Sequence, residues 1–171
     1  MPIATLHELA GRAGRHLAAR QLRLVTAESC TGGGVACHIT AVPGSSDWFE
    51  CGFVVYSNAS KHRLLGVDER TLERWGAVSE QTVRAMTAGA LQRCPSADVA
   101  VAVSGIAGPS GGTGDKPVGT VWLAWERRGQ ACNTARFLFD GDRESIRQQA
   151  IAVVLEGLCK IGTTPESDSV T

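Results

Sequence analysis

Val99-Ala100-Val101-Ala102-Val103 is an unbroken apolar run, closed by Ser104-Gly105. A strand with no polar face has to be buried on both, so this run predicts a central strand between two layers of helix. Before it, Ser79 is an N-cap, Val83, Met86, Ala90 and Leu91 form one apolar stripe, and Pro95 closes a helix at about Arg93. After it, Val118–Glu126 and Ala131–Phe139 read as two adjacent strands, with Arg127-Arg128-Gly129-Gln130 as the hairpin turn.

The same alternation extends towards the N-terminus. Residues 4–19 place Leu6, Leu9, Ala10, Ala13 and Leu17 on one helical face, with His7, Arg12 and Arg15 outward. Leu22–Thr26 is a short strand, Glu28–Gly34 a sharp turn, and a helix through Val35, Ala36 and Ile39 ends before Pro43. Pro43–Asp47 is a loop, and Cys51–Tyr56 is a strand containing β-branched Val54 and Val55. Ser57 or Asn58 caps a short helix carrying Lys61, His62, Leu64 and Leu65, and Gly66 ends it. Asp68 caps another helix that ends at Trp75-Gly76. Asp142 opens the last, in which Ile146, Ala150, Val153, Val154 and Leu158 recur at helical spacing. Helices alternating with strands, plus one hairpin, predict an α/β domain with a mixed β-sheet over residues 1–162. Residues 163–171 read as a polar tail. The order of the strands is not encoded in this pattern.

Composition narrows the function. The 171 residues carry 17 basic and 17 acidic side chains, so no basic face is forced and nucleic acid is not expected as a partner. No run of about 18 apolar residues occurs, so no membrane span is expected, and no secretory signal is seen. Six cysteines, none in a C-x-x-C pair, read as small buried hydrophobes of a cytoplasmic protein. The four histidines have no ligand spacing, so neither a metal nor another cofactor is expected.

Three segments can carry chemistry. In Glu28-Ser29-Cys30-Thr31-Gly32-Gly33, a serine between strand and helix sits beside free N–H groups that can stabilise an oxyanion. Ser29 is either a helix cap or a nucleophile; a nucleophilic serine needs a base, and Lys61 is the best candidate if burial lowers its pKa. Cys30 is the rival nucleophile, and an exposed structural lysine is the alternative for Lys61. Ser104-Gly105-Ile106-Ala107-Gly108-Pro109 leaves the central strand as a glycine-rich loop. With Thr113 and Lys116 it is either a surface loop or a phosphate cradle, and it has neither the Walker nor the dinucleotide pattern. In Gly141-Asp142-Arg143, a basic residue in the first helical turn opposes the helix dipole, which suits either a surface arginine or one that holds an anion.

Taken together, these segments resemble the CinA C-terminal domain family. The resemblance is carried, in family order, by Ala27-Glu28-Ser29-Cys30-Thr31-Gly32-Gly33, Pro43-Gly44-Ser45-Ser46, Gly52-Phe53-Val54-Val55-Tyr56-Ser57-Asn58 with Lys61, Gly76-Ala77-Val78-Ser79-Glu80, Ser104–Pro109, Lys116–Trp122 and Gly141-Asp142-Arg143. It implies a three-layer α/β/α sandwich, usually in a homo-oligomer. The activity implied is that of the family's stand-alone amidases, which hydrolyse the carboxamide of nicotinamide mononucleotide to nicotinic acid mononucleotide and ammonia in pyridine nucleotide recycling. It also implies Ser29 as nucleophile, Lys61 as essential lysine, and Tyr56 and Arg143 as assisting or substrate-binding groups. Thr31, Gly32, Gly33, Ser104, Gly105, Gly108, Thr113 and Lys116 complete the expected substrate contacts. The competing readings are a nucleotide-binding domain without catalysis, a competence- or DNA-damage-related regulator, and an amidase for another small carboxamide.

Overall fold

The computed structural model describes residues 4–162, and the expected tail over 163–171 lies outside them. The elements run α1 (Leu6–Ala18), β1 (Leu24–Glu28), α2 (Gly34–Thr40), a single 3-10 turn at Ser45–Asp47, β2 (Phe49–Val54), α3 (Asn58–Leu65), α4 (Glu69–Trp75), α5 (Glu80–Arg93), β3 (Val99–Gly105), β4 (Thr120–Arg127), β5 (Asn133–Leu138) and α6 (Arg143–Leu158). The sheet order is β2-β1-β3-β4-β5. β2, β1 and β3 are parallel, and β4 and β5 continue the sheet antiparallel, so the mixed sheet expected from the hairpin is present.

β3 sits at the centre, and its alternation builds the two cores. Val99, Val101 and Val103 point into one with Leu9, Leu17, Ile39, Ile146 and Leu155, beneath α1, α2 and α6. Ala100 and Ala102 point into the other with Val83, Met86 and Ala90, beneath α5 with α3 and α4 against it. Large residues face one layer and small ones the other, so α5 packs close to the strand. The result is an α/β/α sandwich.

Caps fix the helix starts. Thr5 and Glu8 form a reciprocal capping box on α1, and Ser57, Asp68, Ser79 and Asp142 each accept an N–H of the first turn they precede. Strand limits depart from expectation: β4 and β5 begin two residues later than expected, at Thr120 and Asn133, and β1 and β2 are each shifted by two residues. β1 runs through Glu28 and β2 begins at Phe49 and ends at Val54, because the ladder pairs Glu28 with both Val54 and Val103. Partner length, rather than the apolar run alone, sets where a strand stops. Beyond the ladder, Val55 N–H still reaches the Glu28 carbonyl at 2.8 Å, while Tyr56 leaves the sheet. Among the described residues no helix is long and apolar enough to cross a membrane. All six cysteines are free thiols.

Candidate active site

β1 delivers Ser29 to the carboxyl end of the sheet, where its N–H bonds the Val103 carbonyl at 3.0 Å. α3 delivers Lys61 from the opposite layer. Lys61 Nζ lies 2.9 Å from Ser29 Oγ and donates to the carbonyls of Val55 at 2.9 Å and Tyr56 at 3.0 Å. The chain between β2 and α3 thus folds its last two carbonyls over the amine. Two N–H bonds to these carbonyls leave the third tetrahedral direction of the nitrogen facing Ser29. In the neutral amine that direction holds the lone pair.

Lys61 is fully buried, which overturns the alternative of an exposed structural lysine. Burial holds its pKa down at about 8, opposed only weakly by the Cys30 thiol. Cys30 itself is pushed up to about 11, chiefly by burial, so it is a protonated thiol at neutral pH. The amine touches Ser29 Oγ, and the geometry therefore favours serine over its neighbour.

Ser29 and Lys61 line a cavity of about 190 Å³. Its other walls include apolar Ala77, Val78 and Ala107, and Ser104-Gly105 at the end of β3. The buried Ser104 hydroxyl donates to the Ala77 carbonyl at 2.8 Å, tying the α4–α5 loop to the sheet. Tyr56 and Arg143 line the cavity from solvent-exposed positions. Arg143 Nη2 donates to the Tyr56 hydroxyl at 3.1 Å and Nη1 to the Gly108 carbonyl at 2.7 Å, so α6 is linked across the site to both loops.

Several expected contacts lie elsewhere. Thr31 is buried with its hydroxyl on Glu28 Oε2 at 2.7 Å, and Gly33 N–H bonds the same oxygen at 3.1 Å. Gly32 N–H turns back to the Ser29 carbonyl at 3.0 Å. The Gly32 and Gly33 N–H groups, expected to be anion donors, are therefore occupied. Gly108 acts through its carbonyl, outside the cavity lining. Thr113 and Lys116 bond each other across a local turn, and Lys116 Nζ is held by the Trp75 carbonyl at 2.7 Å, so neither lines the cavity.

The sequence reading missed two groups. Glu28 is a buried carboxylate that accepts from Thr31, Gly33, Val35 and Ala36, capping α2, whose own N-cap Gly33 has no side chain to do so. An acidic residue just ahead of a helix start is its only signal. Arg147 bonds the carbonyls of Cys30 and Thr31, and one helical turn from Arg143 is the only hint of it.

The chain is similar to known proteins in sequence and in fold. The family model described as CinA C-terminal domain matches residues 6–161. The chain is 54% identical over 162 residues to the nicotinamide-nucleotide amidohydrolase PncC of Pseudomonas putida, covering 95% of this chain and 98% of that one. It is 51% identical over 159 residues to the protein of the same name from Escherichia coli K12, covering 92% and 95%. A crystal structure of the competence damage-inducible protein A from Klebsiella pneumoniae superposes with a TM-score of 0.88 at 42% identity, over 92% of this chain and 97% of that one.

Proposed function

The chain belongs to the CinA C-terminal domain family, and on that premise we propose that it is a nicotinamide-nucleotide amidohydrolase, converting nicotinamide mononucleotide and water to nicotinic acid mononucleotide and ammonia with Ser29 as nucleophile and Lys61 as base. The observation that carries this reading is the 2.9 Å contact, at a cavity open to solvent, between a serine hydroxyl and a buried amine that has no carboxylate partner. The names of the relatives supply the substrate.

In the first half-reaction, neutral Lys61 Nζ takes the Ser29 proton as Oγ bonds to the carboxamide carbon. The carbonyl π electrons move to oxygen, giving a tetrahedral oxyanion. When this collapses, the C–N bond breaks and Lys61 returns its proton to the departing nitrogen, which leaves as ammonia. A water then loses its proton to Lys61 and attacks the nicotinoyl ester of Ser29. As that second intermediate collapses, Lys61 returns this proton to the departing Ser29 Oγ, restoring the hydroxyl and the neutral amine, and the released nicotinic acid group loses its own proton to solvent as the carboxylate.

The cavity is smaller than the roughly 300 Å³ at which drug-sized ligand pockets begin. It suits a carboxamide and one aromatic ring against Ala77, Val78 and Ala107, and leaves the ribose 5′-phosphate outside. Arg143 sits beside that opening with donors beyond the two it uses here, and it is the phosphate anchor in this reading. The reading also takes residues 1–162 as one catalytic domain, working in the cytoplasm as a homo-oligomer in pyridine nucleotide recycling.

The test is incubation with nicotinamide mononucleotide, measuring ammonia and nicotinic acid mononucleotide together. Equal yields from the wild type, and loss of both in folded Ser29→Ala and Lys61→Ala, are expected. Activity that survives in Ser29→Ala would move the nucleophile to another group, and a wild type that releases neither product would sink the substrate assignment.

A further inference from the structure

The turn that carries Ser29 is held from two sides. On one side Glu28 takes up the hydroxyl of Thr31 and the N–H groups of Gly33, Val35 and Ala36. On the other, Arg147 of α6 donates from Nε to the Cys30 carbonyl at 3.2 Å and from Nη2 to the Thr31 carbonyl at 3.0 Å. Its Nη1 is fixed by Glu144 at 2.8 Å. One partly buried guanidinium therefore contacts two successive peptide planes, Cys30–Thr31 and Thr31–Gly32, one peptide beyond the nucleophile.

A trans peptide points its N–H opposite to its C=O. Drawing the Cys30 carbonyl towards α6 turns the Thr31 N–H away from α6. α6 and α3 cover opposite faces of the sheet, so this N–H turns to the side from which Lys61 reaches Ser29. Among the described residues no protein group accepts the Thr31 N–H. The Gly32 and Gly33 N–H groups are already engaged. Of the donors in this turn, the Thr31 N–H is the one that Arg147 orients through its peptide and that no described protein group takes up.

We propose that Arg147 is a positioning residue: by fixing the Cys30 carbonyl it holds the Thr31 N–H of the same peptide to receive the oxyanion of the tetrahedral intermediate on Ser29, and its bond to the Thr31 carbonyl steadies the peptide that follows. This rests on the serine–lysine reading above. Without Arg147 the Cys30 carbonyl loses its one donor among the described residues, while the Thr31 carbonyl keeps the Gly34 N–H at 3.0 Å; the Cys30–Thr31 peptide is then free to rotate, and backbone donors are useful in catalysis only when held in advance. The interaction is made with the oxyanion rather than with the planar amide, so it acts on kcat rather than on KM.

The experiment compares wild type, Arg147→Ala and Arg147→Lys at a temperature where circular dichroism shows each folded. For Arg147→Ala, kcat is expected to fall about 30-fold, with KM within about threefold. The pH midpoint of kcat/KM is expected to stay at the wild-type value, because Arg147 does not touch Lys61. Arg147→Lys, which can still bond one carbonyl, is expected to recover part of the loss. Pyridine-3-boronic acid, which forms a tetrahedral anion on a serine, is expected to lose affinity by about the same factor as kcat. Unchanged kcat, a loss confined to KM, a shifted pH midpoint or undiminished boronate affinity overturns the proposal. If Arg147→Ala does not fold, an Arg147→Lys enzyme with wild-type kcat overturns it, and one with kcat lowered about fivefold at constant KM supports it. Failure of the wild type to hydrolyse nicotinamide mononucleotide sinks the substrate instead. Arg147 is then decided by the rate at which a fluorophosphonate labels Ser29: about 30-fold slower in Arg147→Ala is the expected result, equal rates overturn the role, and an unlabelled wild type overturns both readings.

Discussion

An amine buried without a carboxylate partner is costly in its charged form, and Lys61 is placed in that position. Burial holds its pKa at about 8 against the ordinary 10.5, and the base form is the neutral one. Activity is therefore expected to rise about tenfold per pH unit well below 8 and to level off above it, read as kcat/KM from pH 6 to 9.5. A profile flat across that range would remove Lys61 as the base. The same burial bears on stability. Between about 8 and 10.5 the unfolded chain holds a proton on Lys61 that the folded chain has lost, so folding stability gains from this group as pH rises through that window. Lys61→Met removes the dependence. It is expected to abolish hydrolysis yet raise the thermal midpoint at pH 7, with the difference from wild type closing as pH approaches 10.5. Little of this was legible in the chain. Ser29 and Lys61 stand 32 residues apart and meet only because α3 begins at the edge where β1 ends, and lysine as a residue type defaults to the surface. The ordered set of motifs pointed to Lys61; its burial comes from packing.

The elements explain how two side chains from opposite layers are held within hydrogen-bond reach. α2 begins on a glycine, so the carboxylate of Glu28, at the end of β1, satisfies its first turn instead. Glu28→Ala leaves a buried hydroxyl and three N–H groups without an acceptor. It is expected to cost about 3 kcal/mol in urea unfolding and to lower kcat, since the turn bearing Ser29 is anchored by the same oxygens. On the other side α3 rests on α5 at Gly89, where a Cβ would lie 1.9 Å from the Leu65 carbonyl. Leu65 is one helical turn beyond Lys61, so Gly89→Ala pushes away the segment that carries the base. A loss of about 2 kcal/mol with an activity loss of about tenfold or more is expected. Gly114→Ala, whose Cβ would meet nothing, is the control and should leave stability within about 0.5 kcal/mol. Helix limits were readable from the chain because caps are local: Ser57, Asp68, Ser79 and Asp142 each act within three residues. Strand limits were not, since they depend on the length of a neighbour distant in sequence.

At the scale of the whole molecule, the place of the site follows from the path of the chain. α2 connects β1 to β2 over one face, and α3–α5 return the chain from β2 to β3 over the other. β1 therefore lies beside strands whose connections leave on opposite faces, and the crevice opens at the carboxyl ends of β1 and β3, as in other open α/β sheets. Volume alone points elsewhere. A larger cavity of about 810 Å³ lies between the β4–β5 hairpin and the end of α6, lined by Trp125, Gln130, Asn133 and Phe137. Arg127, which also lines it, pairs with Val99 at the start of β3, whereas the Ser29 cavity touches Gly105 at its end. The two cavities occupy opposite ends of the sheet, and only the smaller holds a nucleophile against a base. Val78→Phe, which drives a ring into about 190 Å³, is therefore expected to raise KM for nicotinamide mononucleotide about tenfold or more. Gln130→Ala and Asn133→Ala, in the larger cavity, are expected to leave kcat and KM within about twofold. Steady-state kinetics on the three variants decides between the ends: a KM raised by the larger cavity's variants and untouched by Val78→Phe would place the substrate at the wrong end of the sheet for Ser29 and Lys61 to reach it.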